Sequence, residues 1–247
     1  MSGIFCEFCR VSIVALIPAA GAGARMRATS PKQYLMLAGR PMLYHAIRSL
    51  AVAPIESVFV VLSPDDSSFA SHDWSEFDGL LEPLYCGGAT RRDTVCNGLI
   101  AAMAAVDADD WVLVHDAARP CLPREDLARL LAEVSDDPVG GLLAAPVSDT
   151  VKRGGEAAGS AGMRVTATED RAGLWLAQTP QMFRAGLLAE ALRRAREPVT
   201  DEASAVEQMG LRPRLVAGSR RNIKVTFAED LALAEALLAG SGAPKCG

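Results

Sequence analysis

The stretch "VSIVALIPAAGAGARM", residues 11–26, decides the fold. Residues 11–17 are almost all apolar or β-branched and do not alternate with polar ones, so they read as a strand buried on both faces, the habit of a parallel sheet. The run then breaks into Pro18, Ala19, Ala20 and Gly21, a turn of small residues, with Arg25 just behind it and Lys32 in the "SPKQY" that follows. Such a turn at a strand end can aim backbone N–H groups at an anion, and the two cations stand ready to neutralise it. Two better-defined phosphate loops do not fit. The dinucleotide fingerprint fails because Met26 occupies its third small position and no acid lies about 20 residues on. The P-loop fails because no Gly-Lys-Ser/Thr closes the turn.

Outward from this stretch the chain alternates. Further apolar runs at 57–63, 111–116 and 140–146 read as buried strands, and helical patterns open on Pro41, Thr90 and Pro123, the last with acids in its first turn. Strand and helix in alternation predict a parallel sheet with crossover helices. The rhythm breaks at 147–177, where short alternating segments flank a Gly, Ala and Ser tip, the pattern of a projecting two-stranded arm. Beyond it come a helix over "RAGLLAEALRRARE", another with Thr200 as its expected N-cap, a strand pair "PRLVAG" and "NIKVT", and a closing helix "AEDLALAEALLAG". One domain over 11–247, preceded by a tail over 1–10, is the expected organisation.

The 247 residues are half apolar and carry 25 Lys and Arg against 30 Asp and Glu, so no general positive field attracts nucleic acid or an anionic membrane. No apolar run approaches the ~18 residues of a membrane span, and the run at 11–17 is short for a signal sequence. Six cysteines without paired spacing suggest a reducing cytoplasm, and the lone "CEFC" at Cys6 and Cys9 lacks the second pair of a zinc site. No metal-ligating side chains are assigned.

Ligands of a parallel sheet gather at the carboxyl ends of its strands, and here those ends are polar. "PAAGAGARM", "CGGATRRD", "HDAARP", "VSDT" and "NIKVT" arrive at one edge from five distant parts of the chain. Asp116, delivered by an apolar strand, suits either a ribose hydroxyl or Mg²⁺. His115 beside it reads as a packed strand histidine rather than a base. Lys224 in "NIKVT" is expected on an apolar strand, where a lysine is unfavourable unless it meets an anion.

The segments "IPAAGAGARM", "SPKQY", "VLVHDAARPCL", "AAPVSDTVKR", "LAQTPQMF", "TDEASAVE" and "NIKVT" together resemble the 2-C-methyl-D-erythritol 4-phosphate cytidylyltransferase family of isoprenoid precursor synthesis, in order from about residue 11 to residue 240. The resemblance implies attack of the methylerythritol phosphate oxygen on the α-phosphorus of CTP, with pyrophosphate leaving and Mg²⁺ bound mainly through the CTP phosphates. It implies catalytic roles for Arg25, Lys32, Arg171 and Lys224. It implies nucleotide contacts at Pro18, Ala19, Ala20, Gly21, Gly88, Thr94, Asp116 and Ala117, and substrate contacts at Arg119, Thr150, Thr179 and Thr200. Ala89 departs from the acid that some members carry there, which bears on one base or ribose contact. The arm is implied to interlock with a second subunit, so that Arg171, Thr150 and Arg119 serve across a homodimer interface. The expected fold is a Rossmann-like three-layer α/β sandwich with a mostly parallel sheet and a projecting β-arm.

Competing readings predict other residues. Another sugar- or polyol-phosphate nucleotidyltransferase would share the first motif but not "SDTVKR" and "NIKVT". A non-catalytic nucleotide-binding regulator would lose Arg25, Lys32 or Lys224, and an NAD-dependent oxidoreductase would show the missing fingerprint.

Overall fold

The computed structural model describes residues 11–21, 31–156 and 162–241. The opening stretch forms β1 (Ile13–Pro18), and a 3-10 turn at Lys32–Tyr34 leads into the small pair β2 (Met36–Leu37) and β3 (Arg40–Pro41). Then come α1 (Met42–Leu50), β4 (Ser57–Val61), β5 (Leu81–Leu84), α2 (Arg91–Ala102), β6 (Trp111–Val114), α3 (Arg124–Val134) and β7 (Gly141–Pro146). The arm is β8 (Val151–Glu156) with β9 (Met163–Glu169). The chain continues through β10 (Trp175–Arg184), α4 (Ala185–Arg194), α5 (Glu202–Glu207), β11 (Arg214–Ala217) and α6 (Glu229–Ser241).

Seven strands make one sheet in the order β11-β7-β10-β6-β1-β4-β5, parallel throughout except for β10. The unbroken apolar run of β1 has its cause in this order, because β1 lies between β4 and β6 and both of its faces are covered. Ala15 and Ile17 pack with Leu43 and Ile47 of α1 and Leu127 and Leu130 of α3. Val14 and Leu16 pack on the other face with Val95 and Leu99 of α2 and Leu188 and Leu192 of α4. The three-layer α/β sandwich is thus present. Each fully buried Leu or Ile of β1 contributes about 1.5–3 kcal/mol by leaving water.

Three expectations are corrected. The segment "NIKVT" forms no strand: Ile223 and Val225 send their apolar side chains into a small cluster with Leu37, Met42 and Ala234, and the backbone docks on a loop, with Val225 N–H donating to Ala118 O at 2.8 Å. The N-cap of α5 is Asp201, not Thr200; its carboxylate accepts from Ser204 N–H and the Ser204 side chain returns the bond, closing a capping box. The region ending at 177 also contains the start of β10, an antiparallel strand that inserts between β6 and β7. Thr90 caps α2 as expected, with Asp93 completing its box.

Candidate active site

Because β10 runs against β6, with Gln181 opposite Val114, residues 178–180 lie beyond the carboxyl end of β6, over the loop that carries His115 and Asp116. Here the sequence builds a chain of hydrogen bonds. His115 is fully buried, and its Nε2 lies 3.0 Å from Arg119 O, an acceptor, so that nitrogen carries the proton. Nδ1 is then left to accept from the Thr179 hydroxyl at 3.0 Å, while Thr179 Oγ1 accepts from Asp116 N–H, also at 3.0 Å. Burial drives the His115 pKa down to about 4, only partly offset by the hydrogen bond to Arg119 O and the nearby Asp116 charge. The ring is therefore a neutral strut that fixes the backbone of Asp116, in keeping with the packed histidine expected from the sequence.

Asp116 is the centre of the charge cluster. Lys224 Nζ lies 2.7 Å from its Oδ2, Arg91 Nε and Nη2 each lie 3.0 Å from its Oδ1, and Arg119 Nε is 3.8 Å from Oδ2. Burial alone would raise the carboxyl, but Arg91, Lys224 and Arg119 more than reverse it and hold the group well below the usual carboxylate range. Arg119 is itself anchored, donating from Nη1 to Asn222 O at 2.6 Å and from Nη2 to Ala177 O at 3.3 Å. Asn222, fully buried, donates to Thr179 O at 2.8 Å. Those bonds, with Val225 N–H on Ala118 O, hold the segment that presents Lys224.

The first loop joins from the other side. Ala19 N–H donates to Val61 O at 2.8 Å, prolonging the β1–β4 ladder, and Gln33 Nε2 donates to Ala19 O at 2.6 Å. That buried glutamine ties the Lys32–Tyr34 turn to the end of β1 and so places Lys32 at the cleft. Pro18, Ala19, Gly21, Lys32, Asp116, Ala117 and Lys224, all expected from the sequence, line one cleft together with Gln33, Met42, Arg91 and Ala118. Ala20 faces the neighbouring loop, where a Cβ on Gly87 would lie only 2.2 Å from Ala20 Cβ. Gly88 is required on similar grounds, since its Cβ would meet Asp93 Cβ at 2.4 Å, so the loop could not close on the start of α2. Thr94 holds that closure: its hydroxyl accepts from Gly88 N–H at 3.1 Å and donates to Thr90 O at 2.9 Å.

Other expected residues lie elsewhere. Thr150 and Arg171 are exposed on and beside the arm, and Thr200 is exposed just before the α5 cap. Arg119 sits buried within the Asp116 cluster of its own chain, and Thr179 serves the His115 strut. Arg25 lies outside the described residues, as do Cys6 and Cys9. Sequence reasoning missed Gln33, Arg91 and Glu202. Glu202, 1% exposed, receives Arg91 Nη1 on Oε1 at 2.7 Å and Nη2 on Oε2 at 3.1 Å. Nothing local marks it, because an acid in the first turn of a helix ordinarily faces water and favours the helix dipole.

Known proteins resemble this chain over most of its length. The profile of the family described as 2-C-methyl-D-erythritol 4-phosphate cytidylyltransferase matches residues 13–240. The enzyme of that name from Dechloromonas aromatica is 57% identical over 226 residues, covering 91% of this chain and 96% of its own. Among solved structures, one of 4-diphosphocytidyl-2C-methyl-D-erythritol synthase is 41% identical with a TM-score of 0.79, covering 93% of this chain and 99% of that one. The Francisella tularensis 2-C-methyl-D-erythritol 4-phosphate cytidylyltransferase is 32% identical with a TM-score of 0.75, covering 92% and 99%. Shared along nearly its whole length with these proteins, and holding its cations around one carboxylate at the sheet edge, the chain belongs to the 2-C-methyl-D-erythritol 4-phosphate cytidylyltransferase family and is a nucleotidyltransferase of isoprenoid precursor synthesis.

Proposed function

We propose that the cleft at the ends of β1 and β6 is where this cytidylyltransferase joins CTP to methylerythritol phosphate. One phosphate oxygen of the polyol attacks the α-phosphorus; the α–β bridging P–O bond breaks, and its electron pair leaves with pyrophosphate. The observation that supports this site is that Lys32 and Lys224, distant in sequence, face one cleft floored by backbone from the end of β1. In-line displacement at a crowded anion needs positioned positive charge more than proton transfer, and the attacking phosphate monoester is already ionised near neutral pH.

In this reading Arg25 and Lys32 stabilise the charge that develops at the α-phosphate. Lys224 holds the triphosphate and the incoming phosphate, and Asp116 keeps Lys224 over the cleft until they arrive. Gly88 and Thr94 shape the wall against which the base rests. Mg²⁺ fits as a passenger of the nucleotide: among the described residues no three metal-ligating side chains cluster, and Asp116 is the carboxylate lining the cleft that could reach it. When bound, the ion neutralises charge on the phosphates. Arg171 and Thr150 are assigned to the methylerythritol phosphate site of a second copy, the arms making a homodimer. Exposed Met163 and Val165 on β9, with Leu174, Trp175 and Leu176 at its base, favour such an interface. A cytoplasmic setting accords with the substrates.

The test is pyrophosphate release from purified protein mixed with CTP, Mg²⁺ and methylerythritol phosphate, each omitted in turn and CTP replaced by UTP, ATP or GTP. Release that requires all three and prefers CTP is expected. Equal turnover with UTP, or none with the full mixture, would overturn the reading.

A further inference from the structure

The Asp116 cluster contains an acid that the reaction itself does not call for. Glu202 is sealed from solvent, yet it takes both terminal nitrogens of Arg91, the side chain that lines the cleft and holds Asp116 Oδ1. A fork–fork pair of this kind fixes a plane as well as a charge. With Arg91 held at its far end by Glu202, its Nε and Nη2 anchor Asp116 Oδ1, and the other carboxylate oxygen is left for Lys224 at 2.7 Å.

The helix that carries Glu202 is fixed in turn by β10. Gln181 Nε2 donates to Asp201 Oδ2 at 2.9 Å, and Gln181 Oε1 accepts from Ala203 N–H at 2.7 Å, so the residues flanking Glu202 are clamped on both sides. The same strand supplies Thr179, which holds the Asp116 backbone. β10 therefore fixes the carboxylate of Asp116 from two directions: through its main chain, and through α5 and the Arg91 fork.

We propose that Glu202 is a positioning residue for cytidylyl transfer: by gripping Arg91 it sets the plane in which Arg91 holds Asp116 Oδ1, and thereby directs Oδ2, and with it Lys224, to the place where the phosphates meet. This rests on the reading of the cleft given under Proposed function. Two simpler roles predict different outcomes. If Glu202 only trimmed the positive charge of the cleft, its removal would tighten CTP and lower KM. If it only stabilised the fold, its removal would lower Tm and leave kcat per folded molecule unchanged.

The experiment is E202Q, which keeps the shape but turns one acceptor into a donor facing Arg91. Pyrophosphate release is measured with CTP and methylerythritol phosphate varied separately, alongside a melting curve. A loss in kcat of about 10–100-fold is expected, with both KM values within about threefold of wild type, because misplacement of a transition-state contact acts on the chemical step. The double variant E202Q/K224A is expected to be no slower than K224A alone, since Glu202 acts through the lysine. Wild-type kcat in E202Q, a lowered KM as its only change, or losses that multiply in the double variant would each overturn the proposal. Should E202Q fail to fold, R91K decides: it keeps the charge and loses the fork, and an unchanged kcat there overturns the proposal equally. Failure of the wild-type chain to release pyrophosphate from CTP would remove the reading of the cleft itself, before any variant is compared.

Discussion

The salt bridge Arg153–Glu169, which ties the two strands of the arm together, and the salt bridge Lys224–Asp116, at the rim of the central sheet, have nearly the same length, 2.6 and 2.7 Å. Their settings differ. On the arm the side chains are 67% and 34% exposed, so water and salt screen the attraction, and such pairs are worth about 0.2–1 kcal/mol. At the rim the lysine is 47% exposed, but the carboxylate is only 9% exposed and is shared with two arginines. The deeper pair is not thereby a larger source of stability, since desolvation offsets much of its attraction. What burial adds is the penalty for leaving one member alone. The arm holds its shape by its backbone ladder and exposes its apolar side chains, whereas the rim holds charged groups in places they would not choose in water.

The contrast sets the order of expected effects. Asp116→Ala should cost the most, about 3–5 kcal/mol, because it strands buried Arg119 and unbinds one side of Arg91; a urea titration reads it, and a loss below ~1 kcal/mol would place the rim on the same footing as the arm. Next comes pH. Unfolded His115 takes up a proton near its ordinary value of 6.5 and folded His115 only near 4, so between the two the unfolded chain binds more protons and stability falls as pH is lowered. The loss from this residue is at most ~3 kcal/mol by pH 4. His115→Gln should flatten that slope between pH 6.5 and 4, and an unaltered slope would detach the ring from acid sensitivity.

Activity follows. Lys32→Ala and Arg25→Ala should each lower kcat by about 100-fold or more, equal to ~2.7 kcal/mol of transition-state stabilisation, with little change in Tm; unchanged turnover in either variant would remove that residue from the mechanism. Arg153→Ala on the arm should shift stability by no more than ~0.5 kcal/mol. A larger shift there, and one that grows with protein concentration, would mean that the arm's surface charges work in an assembled state.

Much of the sheet was legible in the sequence because its signals are local. β1, β4, β6 and β7 announce themselves as apolar runs, and the caps of α2 and α5 lie within one or two residues of where the pattern puts them. β10 was hidden because Gln178, Thr179, Pro180 and Gln181 interrupt its apolar character; of these, Thr179 accepts from Asp116 N–H and Gln181 donates to Asp201. "NIKVT" misled for the opposite reason. Its Ile and Val alternate as in a strand, but their burial comes from a small cluster beside α6 rather than from sheet pairing. Lys32, Asp116 and Lys224 were recoverable from the motifs. Glu202 was not, since its meaning depends on Arg91, which is 111 positions away in sequence.

The way Lys224 is held has a bearing on how the enzyme comes into being. Its segment rests on Ala118 and Asn222, and α6 begins at once behind it, with Asp230 Oδ2 accepting from Thr226 and Phe227 N–H at 2.7 and 2.8 Å and Cys121 contacting Ala234 O. A growing polypeptide that has already completed β1, β6 and the arm still lacks this lysine and the helix that steadies it. If the cleft works as proposed, competence to hold a nucleotide should therefore switch on only once Lys224 and α6 have been made, and a protease that trims α6 should silence the enzyme without touching the cleft.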